Sequence, residues 1–416
     1  MKKLLSLVLA VALLATMSMA ALAESDKELT VWYSGGVNGK AIRKAAELYT
    51  TANPDVTINI EEVATSDRET RLTVALSSGD MSGMPDVTLF QDYSSQKFLQ
   101  FFPGNFVELS SAFDFSQFAA DKVGYWTYDG GVYGLPFDSA ASATFARLDY
   151  LEAAGYTLDD LKGITWDEFI EIGLKVKEAT GKYMLTETNY GNLLMVLVKS
   201  SGKWYFNEDG TANMINNPGV VAAVETIKKL HESGIVKENS DWASYIASLN
   251  NGDAVCTVTG NWILGSIVGA QDQSGKWGMT NIPSMGEGFG HYSSNGGSSW
   301  VILESSQKKD LAKDFLKIFT DDTFNTFVIN ELATVPTYLP AQNLDCIKAP
   351  YAFTNGQAVF ADIMDYTAKT PVIEYGPFNS EVEANMLVAV EEVFAGKSVA
   401  DALQTAEETV NFLIEE

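Results

Sequence analysis

The side chains able to grip a ligand without reacting with it gather at the ends of predicted elements. Tyr33, Ser34, Gly35 and Gly36 end the run "LTVWYSGG", and Gln91, Asp92 and Tyr93 end "PDVTLFQDYS". Asp138 follows Pro136 in "GLPFDSA". Trp204, Trp262 and Trp300 each stand beside Gly, Asn or Ser at the end of an element, where neighbours cover an indole poorly. Trp32, Trp126 and Trp166 lie inside elements and read as core. An open indole stacks on the C–H face of a pyranose, while carboxylates such as Asp92 and Asp138 and the amide of Asn261 serve its rim hydroxyls. Together these residues favour a sugar site.

The segment "SNGGSSW" is the least ordinary. A glycine pair suits a phosphate cradle, a linker, or backbone held close to a ligand. No Lys or Arg occurs from Trp277 to Gln307, which argues against phosphate. Gly296, Gly297 and Ser298 are therefore expected to lay main chain against a ligand. Trp300 behind them starts a strand, as core or as pocket floor.

Reactive chemistry has little support. His231 and His291 are far apart, and neither has a nucleophile motif; in "GDMSG" the serine is off centre. No Cys, His and carboxylate cluster has metal spacing, so no metal and no cofactor are expected. The first strand–helix turn lacks the second and third glycines of a dinucleotide fingerprint, and there is no P-loop lysine. A glycosidase needs two carboxylates roughly 5 to 9.5 Å apart. With 54 acidic residues a pair is always available, so that alternative stays open. Cys256 and Cys346 have no spacing that forces a disulfide.

Lys2 and Lys3, an apolar stretch from Leu4 to Leu14, and Ala21-Leu22-Ala23 read as a cleaved secretory signal over residues 1–23. No cysteine stands at the cleavage point to carry a lipid, so a periplasmic or secreted location is expected. The chain has 28 Lys+Arg against 54 Asp+Glu, and losing Lys2 and Lys3 takes the net charge from −26 to −28. Such a chain repels nucleic acid and anionic membranes.

The elements that must position these residues alternate. Leu29–Ser34, Val56–Val63 and Pro85–Ser94 read as strands, with helices from Ile42 and from Arg68 between them, a β-α-β-α-β start that predicts a parallel sheet. Ligands of such sheets sit outside the carboxyl ends of the strands, where Tyr33 and Asp92 fall. Later segments read mostly as helices: Phe145–Ala154, one opened by the capping box Thr165–Glu168, Pro218 to Gly234, Tyr245–Leu249, Lys308–Thr320, and a last one from Ser398. About 390 mature residues without a linker favour two lobes crossed several times by the chain.

Six stretches in order, "GGVYGLPFD", "TWDEFIEIGLKVKEATG", "NNGDAVCTVTGNW", "GGSSW", "ATVPTYLPA" and "VFAGKSVADALQTAEE", resemble the extracellular solute-binding proteins of carbohydrate ABC importers. "GHYSSNGGSSW" and "LPFDSA" look most like the lactose- and arabinose-type sugar binders. The resemblance implies an α/β fold of two lobes, residues 24–137 with 286–332 and residues 138–285 with 333–416. Hinge crossings would fall near Pro136–Asp138, Ile282–Gly286 and Leu332–Pro336. It implies a monomer that holds sugar between the lobes and passes it to a membrane permease. Family binding positions would map onto Tyr33 to Gly36, Asp92, Tyr93, Asp138, Trp262 and Gly296 to Ser298, with Trp204 and Tyr338 beside them. A binder of the same fold for a peptide or polyol remains an alternative.

Overall fold

The structure is a computed structural model that describes residues 27–138 and 140–415. The secretory signal expected over 1–23 lies outside them. In chain order the strands are β1 (Glu28–Tyr33), β2 (Thr57–Glu62), β3 (Val87–Gln91), β4 (Thr127–Tyr128), β5 (Gly131–Val132) and β6 (Leu135–Pro136). They continue as β7 (Ser142–Arg147), β8 (Tyr183–Glu187), β9 (Val236–Glu238), β10 (Ala254–Gly260), β11 (Trp277–Thr280) and β12 (Ser298–Ile302). One five-stranded sheet has the order β2-β1-β3-β12-β6, another the order β11-β7-β10-β8-β9. β1 runs parallel to β2 and β3, whereas β12 is antiparallel to β3 and β6. β8, β9 and β10 run parallel, and β7 returns antiparallel between β10 and β11. Helices cover both sheets, so central strands such as β3 and β10 are apolar or small on both faces and buried along nearly their whole length.

Local signals set the helix limits. Thr165 and Glu168 form a reciprocal capping box for helix Trp166–Thr180, which stops at Gly181 in the left-handed region. Asn217 caps helix Pro218–Ser233 by accepting from the N–H groups of Gly219 and Val220, and Gly234 ends it. Each such cap stabilises its helix by about 1 kcal/mol. Phe145 to Arg147, expected as helix, is instead the end of β7, and the helix begins at Leu148. "SATFAR" is fully buried between two strands, and that pairing overrides the helical spacing of its apolar residues.

Three segments connect the lobes. Asp138 bridges Pro336, the Thr337 N–H donates to Phe137 O, and the Ala119 N–H donates to Thr337 O, so the first and third crossings lie side by side. The second crossing is not at Ile282–Gly286. The Ser142 N–H still donates to Ser293 O, and the Asn295 N–H to Ala140 O, within the second lobe. The chain passes over at Gly296 and Gly297 and enters the first sheet at Ser298. Ser293 and Asn295 hold the segment back because they pair with the start of β7.

Candidate functional site in the interlobe cleft

Both lobes turn carboxyl strand ends towards the hinge. Gln91, the last residue of β3, is opposite Ser298, the first of β12. Gly260, the last of β10, is opposite Ser142, the first of β7. The ends of β3 and β10 therefore both lie where the chain crosses between the lobes.

The centre is a buried charge cluster. Asp92 is wholly buried, and its carboxylate is fully engaged: it pairs with Lys122 and accepts from Trp126 Nε1 at 3.1 Å and Ser299 Oγ at 2.7 Å. Asp138 is likewise committed, its Oδ1 accepting from Ser298 N at 2.8 Å and Ser298 Oγ at 2.7 Å. Burial raises the Asp138 carboxyl. Burial alone would lower the Lys122 ammonium, but Asp92, Asp138 and Asp121 outweigh it and hold it raised. Gly297, at φ 99°, lies directly over this pair: a Cβ there would overlap Lys122 Nζ and sit 3.1 Å from Asp92 Oδ2. Its carbonyl accepts from the Asp92 N–H at 3.0 Å. The glycine thus serves the ion pair. Gly296, at φ 80°, is more open, with Gln91 Oε1 4.0 Å from where its Cβ would be.

Beside the cluster lies Lys199 of the second lobe, also wholly buried. Its Nζ donates to Ser294 Oγ at 2.8 Å and Tyr375 Oη at 2.5 Å. Burial and the Lys122 charge bring its ammonium down to about 7. Tyr375 meets Tyr125 of the first lobe at a ring distance of 4.9 Å, and Lys97 pairs with Glu381 at 3.2 Å, so the lobes are in contact.

Further buried polar groups, several with atoms that lack a partner, flank this centre. In the first lobe Arg68 is wholly buried; its Nη1 donates to Ser34 Oγ at 2.9 Å, while Nε and Nη2 have no partner. Burial brings the guanidinium down to about 10. Tyr93 and Glu69 stand next to it, and burial together with Glu69 and, across the cleft, Glu383 pushes the Tyr93 hydroxyl up. Burial raises the Glu383 carboxyl to about 7. In the second lobe Asn261 is 1 % exposed, and neither its Oδ1 nor its Nδ2 has a partner. Next to it, Trp262 is half-buried, its Nε1 donating to Asn295 O at 3.0 Å and its ring 5.4 Å from that of Trp242. Gly265, three residues on, approaches Val37 Cγ2 of the first lobe within 3.4 Å of a notional Cβ. That approach brings the turn after Trp262 beside the start of the first-lobe helix Gly36–Ala52.

Several expected residues lie elsewhere. Tyr33 is under helix Gly36–Ala52, its Oη donating to Glu62 at 3.0 Å and accepting from Arg43 Nη2 at 2.6 Å; a Cβ on Gly39 would sit 2.5 Å from its ring. Trp204 is buried, with Nε1 bound to Asn379 Oδ1 at 2.8 Å and its ring perpendicular to Tyr375. Trp300 is first-lobe core, packed on Phe319 and Phe137. Tyr338 lies on the hinge beside Phe118 and donates to Gln117 Oε1 at 3.1 Å. Gly35, at φ 85°, starts the turn into its helix at Gly36. Spacing gave no sign of Arg68, Lys122 or Glu383, because each lies within a helix as one polar residue among several; Lys199 was signalled only as the single charge after the apolar run Leu193 to Val198. Trp242, the first residue of its helix, was visible only as one Trp among eight.

His231 stacks on Phe394 and binds Glu238 at 2.6 Å, and His291 Nδ1 meets Ile282 O. Among the described residues no cluster of three potential ligands suits a metal ion. Cys256 and Cys346 are free. No helix among the described residues is long and apolar enough to cross a membrane.

Comparison with known proteins agrees with this architecture. Residues 44–362 match the family of bacterial extracellular solute-binding proteins. The chain is 38% identical over 386 residues to a lactose-binding protein of Rhizobium radiobacter, covering 92% of each. It is 25% identical over 304 residues to an arabinooligosaccharide-binding protein of Bacillus subtilis, covering 70% of this chain and 68% of that one. The GacH receptor of Streptomyces glaucescens, solved unliganded and with acarbose, superposes with a TM-score of 0.78 at 17% identity, over 94% of this chain and 98% of that one. With two sheets joined by three hinge segments and a match over most of its length, the chain belongs to the bacterial extracellular solute-binding protein family.

Proposed function

We propose that this protein captures a neutral mono- or oligosaccharide between its lobes and delivers it, unaltered, to an ABC permease in the membrane. The observation that carries the reading is a pair of buried side chains on opposite lobes with polar atoms that lack partners. Arg68 has two free nitrogens and Asn261 a free amide. Buried polar groups without partners cost about 1 to 3 kcal/mol each, so a bound polyol that fills them stabilises the closed arrangement. Arg68 supplies donors, Asn261 one donor and one acceptor, Glu69 and Glu383 acceptors, and Trp262 and Tyr93 the flat faces. Interleaved hydroxyl partners and aromatic faces suit a sugar better than a peptide. The names of the two relatives, lactose-binding and arabinooligosaccharide-binding, support the same class.

The action is capture by closure. Contacts to both lobes exist only in the closed form, so ligand shifts the population towards it. The protein works as a monomer outside the cytoplasmic membrane. A glycosidase would need a free carboxylate pair; Asp92 and Asp138 already hold internal partners, and Glu69 and Glu383 each accept a hydrogen bond from the protein, from Ser94 Oγ at 2.7 Å and Asn379 Nδ2 at 3.0 Å. A thermal-shift screen over mono- and oligosaccharides tests the reading. A saturable rise with at least one sugar, reduced in Trp262→Ala, is expected. A flat response across the set, or release of free monosaccharide from an oligosaccharide, would overturn it.

A further inference from the structure

We propose that Lys199 loses a proton when the lobes close, so that each captured sugar sends one proton into solvent. This rests on the sugar-binding reading above and adds a pH dependence to it. Lys199 belongs to the second lobe, in the helix Gly191–Ser200, yet both lobes surround its Nζ. From the second lobe come Ser294 Oγ at 2.8 Å and Tyr375 Oη at 2.5 Å, with the Tyr375 ring centroid at 4.8 Å. From the first lobe comes the Tyr125 ring, its centroid at 5.5 Å, and the same helix Ala120–Tyr125 carries Asp121 and Lys122. The other charges that act on Lys199 are Asp92, just after β3, and Glu383, on the second-lobe helix Asn379–Phe394.

The two buried lysines differ in their partners. Lys122 pairs with Asp92, whereas both partners of Lys199 are hydroxyls, and no carboxylate among the described residues forms an ion pair with it. A wholly buried ammonium without a countercharge in contact is costly, more so beside a second ammonium. The amine fits the same place. Its Nζ still donates to Ser294 Oγ, while the Tyr375 hydroxyl turns to donate to the Nζ lone pair. In the closed form burial and Lys122 outweigh the acids and bring Lys199 to about 7. Opening withdraws Tyr125, Lys122, Asp121 and Asp92 together and returns Nζ to water, where its value is near 10.5. Between those values the open form holds one proton more, so closure is favoured as pH rises. On closing, one Nζ–H bond breaks, the electron pair stays on Nζ, and the proton passes to water or a buffer base. Glu383, raised to about 7, acts with the opposite sign and only up to that pH. Tyr125 and Tyr375 are raised and stay neutral, and Lys122 is raised and stays charged. From pH 8 upwards the Lys199 contribution therefore dominates.

The test is calorimetric titration of the mature protein with lactose, and with each sugar that raises its Tm, at pH 8 in Tris and in phosphate. The two buffers differ in their heat of protonation, so the difference in apparent binding heat counts the protons released. About one proton per sugar is expected, and affinity should rise about ninefold from pH 8 to 9. In Lys199→Met the two buffers give equal heats, and affinity is level over that range. Lys199→Gln keeps a donor for Ser294 and no charge; it behaves alike and replaces the Met variant should that one fail to fold. Equal heats for the wild type, or proton release that persists in the variants, overturns the inference and leaves the sugar reading standing. A wild type that binds no sugar overturns the sugar reading and this inference together.

Discussion

Gly297 lies against Lys122 so closely that the position has no room for a Cβ, and this contact seals the buried Lys122–Asp92 pair at the point where the chain crosses between lobes. Gly297→Ala combines a strained φ with displacement of the ammonium. Left-handed backbone costs an L-residue about 1 to 2 kcal/mol, and disturbing a buried pair costs more. A loss of about 3 kcal/mol or more in urea denaturation is expected; a loss under 1 kcal/mol would show that Lys122 moves aside freely.

Asp92 reads from sequence as a sugar ligand, and the fold gives it another task. Both its oxygens are used within the protein, so Asp92→Asn leaves Lys122 buried without its main countercharge. The expected cost is about 3 to 5 kcal/mol of stability, measured by urea denaturation. Sugar affinity of the variant, measured below its unfolding transition, should change little. A stable variant with greatly weakened binding would return Asp92 to the ligand.

Arg68 and Asn261 should behave in the opposite way. Asn261 has no side-chain partner to lose, so Asn261→Leu should leave Tm unchanged or higher, while Arg68→Met gives up one hydrogen bond to Ser34 Oγ and a contact with the Phe90 ring against two relieved nitrogens and should change Tm little. Each should weaken saccharide binding by about 2 kcal/mol, as for a ligand anchor. Loss of stability with unchanged affinity would mark them as structural.

Lys199 gives a pH signature. Its ammonium titrates near 7 in the fold and near 10.5 in the unfolded chain. Between those values the unfolded chain binds more protons, so this residue makes stability rise with pH and lose that gain as pH falls through 7. The slope per proton is at most about 1.4 kcal/mol per pH unit. Lys199→Met should flatten the dependence between pH 8 and 10 in urea melts done at several pH values; an unchanged slope would show that Lys199 stays charged throughout. Glu383 has the reverse sign: raised to about 7, its carboxyl makes stability fall as pH rises from about 4.5 to 7.

The architecture was legible in the sequence where local chemistry fixed it. Thr165 with Glu168, Asn217 with Gly234, and the alternation of β1 and β3 with helices marked the elements and the sheet they build. Phe145 to Arg147 was misread because a buried strand of small and apolar residues has no period of its own. The site was legible in part. The proposed site takes in Trp262, Asn261 and Tyr93, which the sequence singled out because residues at strand ends project from the sheet edge. Tyr33, Trp204 and Trp300 occupy similar chain positions but are covered by residues distant in sequence. The same distance hid Lys122. No cation lies near the glycine pair in the chain, yet one touches Gly297 in the fold, already paired with Asp92. Arg68 carried no signal, because its importance lies in the partners it lacks.

The most direct test is calorimetric titration of the mature wild type, Arg68→Met and Trp262→Ala with lactose and with any sugar that raises Tm. The account predicts one saturating site, weakened about thirtyfold or more by either substitution, because the ligand touches both lobes. Sugar binding indifferent to both substitutions, or no heat with any saccharide, would contradict it.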